Sequence, residues 1–500
     1  MANLAVWMQN IGAAWMMTEL AGSPLMVALV QTAMALPAFL LGLPSGVIAD
    51  LMDKRRLLLA TQWLALFAML LLCIPALTGR LGPWSLLLYT FALGTTSALS
   101  MSAWLACTID RAPEGQVAAA IALGTVSPNI ARVVGPALAG ALIAKAGAPM
   151  LFVVVCGSFA AVLALLGRLH ADPRRGGLPT ERFLPAIFSG LRYVRHSCAL
   201  RRALAKVTVF STAGSALWAL LPLIARERLQ LGADGYGVLL GCLGSGAVIS
   251  ALTLPGLYKR HPLQRLILGG GLMFALVTLL SGVLSNLPAL CLLYVFGGMA
   301  WMAVNTTLTT VIQTSTAMWV KARVGSIYLM VVMGGMALGG VLWGLLAARL
   351  GVVGTLILAG IVIATGSMLS LRHPLKLGQE SDFGQRPGGL PTLLPTTVES
   401  NCGPVCVEIS YIVLPELRED FLGLARAIEN VRRRNGASDW RLLRHLACPE
   451  RYTERFVVAS WMDYLRQHER STHADAILET RLAAFNTTSG MLPSFYVIER

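Results

Sequence analysis

The sequence predicts an all-α polytopic membrane protein, twelve helices in two six-helix bundles, followed by a small C-terminal α+β domain. Three observations carry that reading. Apolar residues make up 56% of the 500 and charged residues only 13%, about half the charge of a soluble domain. Apolar stretches of bilayer-crossing length follow one another as far as residue 371. From Leu377 the chain turns polar and mixed in charge. So few charges cannot cover a water-facing surface. That excludes a secreted disulfide scaffold, a disordered chain or an ordinary cytosolic enzyme for most of the length.

A spanning helix takes about 20 apolar residues. Twelve windows qualify: 1–18, 24–49, 57–78, 83–107, 117–144, 149–167, 207–225, 236–257, 266–285, 288–312, 324–348 and 350–371. They are apolar all round instead of alternating, which predicts helices and not barrel strands. Only Arg132 brings a charge into a window. Cys73, Cys156 and Cys291 sit inside apolar runs and read as small apolar residues. Cys402 and Cys406 have no second pair at zinc spacing, so neither a metal nor another cofactor is expected. The first apolar stretch lacks the basic flank of a cleavable signal peptide.

The net charge of +15 raises the question of nucleic acid. Its placement answers it. Through Lys376 there are 26 basic and 9 acidic residues, and beyond it 14 and 16. The excess belongs to the apolar part, so nucleic acid is not an expected partner and the lipid bilayer is. Loops on one set of alternate sides carry 17 Lys and Arg, those on the other only 5. The positive-inside rule then predicts a multi-pass membrane protein with both termini cytoplasmic. The longest internal connector, 168–204, separates residues 1–167 from 205–376 and holds eight arginines, Arg168 to Arg202. Its stretch 181–196 puts Phe183, Ile187, Leu191 and Val194 on one face. That suits an amphipathic helix on the inner leaflet or a solvated linker equally.

Six windows on each side invite a search for a repeat. Leu43–Arg56 closes the second window, and Leu254-Pro-Gly-Leu-Tyr-Lys-Arg260 closes the eighth as a shortened echo. Gly135-Pro136 through Gly140 in the fifth window answers Gly334 through Gly340 in the eleventh. Parallel halves with a pocket at their interface are the logic of rocking transporters.

The run Gly46-Val-Ile-Ala-Asp50-Leu-Met-Asp53-Lys54-Arg55-Arg56 resembles the loop between helices 2 and 3 of the major facilitator superfamily. Trp7-Met-Gln-Asn through Trp15, Gly22-Ser-Pro-Leu25, Asn129-Ile-Ala-Arg132-Val-Val-Gly135-Pro136 and Arg323-Val-Gly-Ser are similar to one branch. That branch is the transmembrane secretion effector family with its enterobactin-exporter-like members. The resemblance covers residues 1–375. It departs at the start, where the chain opens only six residues before Trp7 and family members carry more. An incomplete N-terminus and poor insertion of the first helix are the expectation there.

The resemblance implies that Gly46, Asp50, Lys54, Arg55 and Arg56 latch an inward gate across the two halves. The alternative for the basic cluster is topology alone. An acid close to lipid is costly unless paired, which favours a gate role for Asp50. Arg132, deep in a window, must face the bundle interior. It meets either a substrate or coupling partner, such as Asp110 or Glu114, or backbone carbonyls in a structural role. Asn129 lies on its face. Gly135 and Pro136 are expected to kink the fifth helix, and Gly140 to admit a close neighbour. The resemblance ties that motif to transport direction. Gln9, Asn10, Gln31, Asn305 and Gln313, with Trp7, Trp15, Trp218 and Trp301, either line a central cavity or join helices to each other. No acid stands near the middle of a window, so proton coupling is implied by the resemblance alone. No Walker A motif is present.

Residues 377–402 read as a Gly/Pro-rich linker and 403–500 as a cytoplasmic domain. Strands are expected at 405–413, 440–446 and 455–461, and helices at 415–434, 463–470 and 473–485. Asn435-Gly436 is a turn, and Arg432, Arg433 and Arg434 read as a solvated helix end. This order suggests a ferredoxin-like unit. It resembles the antibiotic-biosynthesis-monooxygenase type of domain, in a regulatory role or as the site of dimerisation. His445, His468 and His473 are the candidate bases of an enzymatic alternative, with no activating pair evident. The expectation is therefore a secondary exporter of a small amphiphilic or anionic molecule, such as a drug or siderophore, by alternating access. The rival is a membrane-anchored enzyme or sensor acting through the C-terminal domain, and uptake in place of export is a third reading.

Overall fold

Long apolar runs become long helices because a chain in lipid must satisfy its backbone internally. The computed structural model describes residues 1–110, 117–168, 183–372, 375, 402–469, 471–485 and 493–498. It comprises two units, residues 1–180 with 204–309 and 326–375, and residues 181–203 with 310–325 and 376–500.

The first unit is helical. It contains α1 (Ala2–Leu20), α2 (Pro24–Leu51), α3 (Lys54–Leu77), α4 (Pro83–Asp110) and α5 (Val117–Gly167). After a break follow most of α7 (Cys198–Leu223), then α8 (Ala233–Arg260), α9 (Leu263–Val283), most of α10 (Leu287–Thr314) and most of α11 (Lys321–Leu369). Among the described residues, eight helices are long and apolar enough to cross a membrane. Two of these carry a turn inside them. Gly147 (φ 81°, ψ 161°) breaks α5 and Gly351 (φ 72°, ψ 168°) breaks α11. Only glycine takes such a φ without strain. The two turns recur roughly two hundred residues apart, which is the offset of the repeat.

α2 packs on α4, α1 on α5, α5 on α8, and α3 on both α4 and α5. Leu57, Leu58, Ala103, Cys107, Val162 and Leu166 form one of the cores. Large apolar side chains such as Trp63, Phe67 and Ile74 on α3 point outwards and stay exposed. An apolar face of that extent suits lipid and not water.

In the second unit, α6 (Phe183–His196) precedes the start of α7, and the ends of α10 and α11 flank a short turn. The C-terminal part contains β1 (Val405–Ile412), α12 (Arg418–Asn435), β2 (Ser438–Arg444), β3 (Arg451–Val458), α13 (Trp461–Glu469), α14 (His473–Ala483) and β4 (Ser494–Val497). The strands form an antiparallel sheet in the order β2-β3-β1-β4. Val405 faces Val458 and Ile412 faces Arg451 across the β1–β3 pair. Phe421, Ala425 and Ile428 of α12 pack on Tyr411 and Tyr452 of the sheet. These are the residues its amphipathic pattern puts on one face.

Three expectations change. The third strand ends at Val458, because Trp461 opens a helix that Ser460 caps through its Oγ, which accepts from the Asp463 amide at 3.1 Å. A fourth strand, Ser494–Val497, was not anticipated. The face of α6 that is buried carries Ser189, Tyr193 and Val194, while Leu191 is 52% exposed. The side chains of Phe183 and Ile187 lie outside the described residues.

Candidate functional site

The Gly46–Arg56 motif lies where α2 passes into α3. Asp53 caps α3, its side chain accepting from the Arg56 amide at 2.8 Å. Arg55 donates through Nη2 to the Gly167 carbonyl at 2.9 Å. That bond joins the start of α3 to the last turn of α5, so it lies within the first half of the repeat. Arg56 is exposed. Gly46 and Asp50 lie on α2 and Lys54 opens α3, but their side chains fall outside the described residues, as do those of Asp110 on α4 and Asn129 on α5. Glu114 is outside as well.

Arg132 sits on α5 with its guanidinium carbon 5.7 Å from the centre of the Trp7 ring on α1. A cation over an indole face gains electrostatic stabilisation that strengthens as water is excluded. Gly135, one turn on, makes room for the same tryptophan: a Cβ there would lie 2.8 Å from the Trp7 Cβ. The sequence thus brings Trp7, Arg132 and Gly135 together. Among the described residues, Arg132 Nε, Gln9 Nε2 and Asn10 Oδ1 are buried without a hydrogen-bond partner. So are Trp218 Nε1, a residue the sequence analysis names, and Gln62 Oε1 and Thr212 Oγ1, which it does not. Most buried polar groups in proteins are paired, and a bilayer raises the cost of leaving one unpaired.

The two halves of the repeat meet along two seams. On α5 and α8, a Cβ on Gly140 would lie 2.7 Å from the Ala233 carbonyl oxygen, and one on Gly237 2.7 Å from that of Pro136. A Cβ on Gly244 would lie 2.9 Å from the Arg132 carbonyl oxygen. Gly237 and Gly244 stand one heptad apart, which was the readable signal for this missed pair. On α2 and α11, Thr32 Oγ1 donates to the Ala337 carbonyl at 2.9 Å. Trp15 of α1 stacks on Tyr236 of α8 with centroids 6.0 Å apart.

In the second half Phe210, Trp218, Phe274 and Trp301 form one aromatic cluster, with Trp301 5.2 to 5.8 Å from the other three. Asn305 donates to the Trp301 carbonyl at 2.9 Å, and its Oδ1 lies 3.4 Å from the Tyr328 hydroxyl. It joins α10 to α11. The Arg132 guanidinium can hold an anion, and the aromatic cluster can stack a ring.

The C-terminal part holds a different kind of polar group. Arg432 is buried and pairs with Glu454 at 3.2 Å and Glu479 at 2.6 Å. Tyr411 and Trp440 each donate to Glu454 at 2.9 Å. Burial pulls the Arg432 guanidinium down, but Glu454, Glu479 and Tyr411 outweigh it and hold the cation above its usual range. Burial, and Glu454 beside it, raise the Tyr411 phenol. Tyr464 is pushed up to about 12, mainly by burial. Arg434 reaches Asp475 with both contacts at 2.5 to 2.6 Å. The run Arg432–Arg434 is therefore not a solvated helix end. Long-range carboxylates neutralise its first and last members, and Arg433 pairs with Glu429 on its own helix. His445 closes a turn, its Nδ1 accepting from the Cys448 amide at 3.0 Å, and His473 is exposed. The His468 side chain is outside the described residues. No group of metal-binding side chains occurs among the described residues.

Residues 1–496 match the transmembrane secretion effector family. The chain is 24% identical over 387 residues to the staphyloferrin A transporter of Staphylococcus aureus, covering 76% of this chain and 96% of that one. It is 26% identical over 355 residues to the enterobactin exporter of Salmonella paratyphi A, covering 68% and 81%. Its fold is like that of a bacterial homologue of the lysosomal transporter Spinster, solved inward-facing and unoccupied. The TM-score there is 0.59 at 14% identity, covering 74% of this chain and 96% of that one. The nucleoside transporter NupG gives a TM-score of 0.58 at 12% identity, covering 75% and 98%. The reading as a membrane-anchored enzyme falls with these findings. The protein is a multi-pass membrane transporter of the major facilitator superfamily, and the chain belongs to its transmembrane secretion effector family.

Proposed function

We propose that the protein exports a small anionic molecule of the siderophore class by alternating access, with Arg132 as the residue that meets it. The observation that carries this is the half-buried Arg132 beside Trp7, its buried Nε without a hydrogen-bond partner among the described residues. A guanidinium held in a spanning bundle and left with an unused donor is suited to a carboxylate or catecholate ligand. Staphyloferrin A and enterobactin, named for two of the relatives, are the probes to use.

Twelve crossings, with both termini cytoplasmic, follow if Gly147 and Gly351 each divide a long helix into two antiparallel spans. The repeated turn supports this. The α5–α8 and α2–α11 seams are the surfaces that part and close as the halves rock. The Gly46–Arg56 motif is the gate at the linker side, and a proton gradient across the inner membrane is the driving force. The strand order β2-β3-β1-β4 supports a ferredoxin-like C-terminal domain, through which two copies can pair. Everted vesicles given either siderophore on the outside, with uptake into the lumen as the readout, test the proposal. Transport that needs Arg132, survives Arg132→Lys in part and collapses with an uncoupler is the expected result. Equal flux with Arg132→Ala would overturn it.

A further inference from the structure

The second unit carries a chain of contacts that transport itself does not require. Tyr193 on α6 is 1% exposed. Its hydroxyl oxygen accepts from the Ala317 amide at 3.1 Å, and its ring meets Trp319 edge-on at 5.7 Å. Both partners belong to the turn that joins α10 to α11. One helical turn earlier, Ser189 receives a bond from Arg323 Nη1 at 2.6 Å, at the start of α11. The ring of Tyr193 is also covered from the C-terminal part, by the Arg434 guanidinium at 5.2 Å. Arg434 is fixed by Asp475, which the Thr472–Asp475 capping box holds at the start of α14. Beside it, Arg192 passes over Gly436, whose φ of 128° and missing side chain leave it room.

We propose that the C-terminal domain is a built-in brake, acting through the relay Asp475–Arg434–Tyr193–Ala317, which pins the linker helix α6 to the α10–α11 turn. The proposal rests on the transporter reading. Pinned in this way, the 14-residue α6 moves with the α10–α11 turn. A contact made in one conformation also deepens that well and slows departure from it.

Two variants of the full chain in lipid vesicles test the relay. Arg434→Gln removes the cation from the ring, and Tyr193→Phe keeps the ring while losing the bond to Ala317. Amide hydrogen exchange reads the relay without any substrate. With Arg434→Gln, exchange at 183–196 and 310–325 is expected to rise about tenfold while β1 and β3 keep their protection. With Tyr193→Phe, the rise is confined to 310–325. Initial efflux of enterobactin or staphyloferrin A, whichever the wild type moves, rises about twofold or more in both. Unchanged exchange at 310–325 in both variants, or exchange that rises while efflux stays level or falls, overturns the brake. If Arg434→Gln loses its sheet, Tyr193→Phe decides. A wild type that moves neither probe speaks against the siderophore-export proposal, and the exchange data then decide the relay alone.

Discussion

The bilayer-spanning part and the C-terminal part bury charge in opposite ways. In the spanning part, Arg132 lies against a tryptophan with its Nε unpaired among the described residues, and Gln9 and Asn10 leave buried atoms unpaired on the neighbouring helix. In the C-terminal part, Arg432 meets two carboxylates, and one of those, Glu454, also accepts from Tyr411 and Trp440. A closed network of that kind serves one arrangement of its own side chains. An open one is costly and is retained where something else completes it. On the proposed function, the contrast separates residues that hold the fold from the arginine that meets the ligand.

The largest effect is expected where the closed network is opened. Glu454→Ala leaves Arg432 with Glu479 alone and takes the acceptor from Tyr411 and Trp440, and should destabilise the C-terminal unit by about 3–5 kcal/mol, as breaking a buried pair does. Loss of strand protection in that unit, with the spanning helices retained, checks it. Removing the open charge acts on flux instead. Arg132→Ala is expected to lower siderophore export about a hundredfold, the equivalent of roughly 3 kcal/mol of charge-assisted hydrogen bonding, with circular dichroism unchanged. Gly237→Leu forces α5 and α8 apart where a Cβ would already meet the Pro136 carbonyl oxygen at 2.7 Å. Overpacking of this sort costs about 1–3 kcal/mol, so cysteine cross-linking across the seam should weaken. The gentlest test is alkaline titration of the C-terminal unit. Tyr411 and Tyr464 both have phenols raised in the folded state, Tyr464 to about 12 from 10.0. Between those values the unfolded chain has lost protons that the folded one keeps, so stability present below pH 10 falls as pH rises towards 12. Tyrosinate absorbance that develops only with unfolding checks the sign.

Much of this was legible in the sequence. Apolar windows located the long helices, and the second and third windows already bracketed the motif at Gly46–Arg56. The pairing of Trp7 with Arg132 was not readable, although both residues stood out, because nothing in the local pattern says which helices touch. The boundary at Trp461 was missed because a Ser-x-x-Asp capping signal was outweighed by the apolar, β-branched run Phe456-Val-Val-Ala459 before it. Arg432 and Arg434 were misread because their carboxylates lie far along the chain, on β3 and α14. α6 shows the same limit. Its period was right, but which stripe is buried depends on Ala317, Trp319 and Arg434, and none of them is nearby in sequence.

The most direct test compares Arg132→Ala with Glu454→Ala in one everted-vesicle assay of enterobactin and staphyloferrin A. The account predicts that the first variant stops flux with its C-terminal sheet intact, and that the second loses that sheet while flux persists or quickens. Flux that survives without Arg132 and vanishes with Glu454 would contradict it.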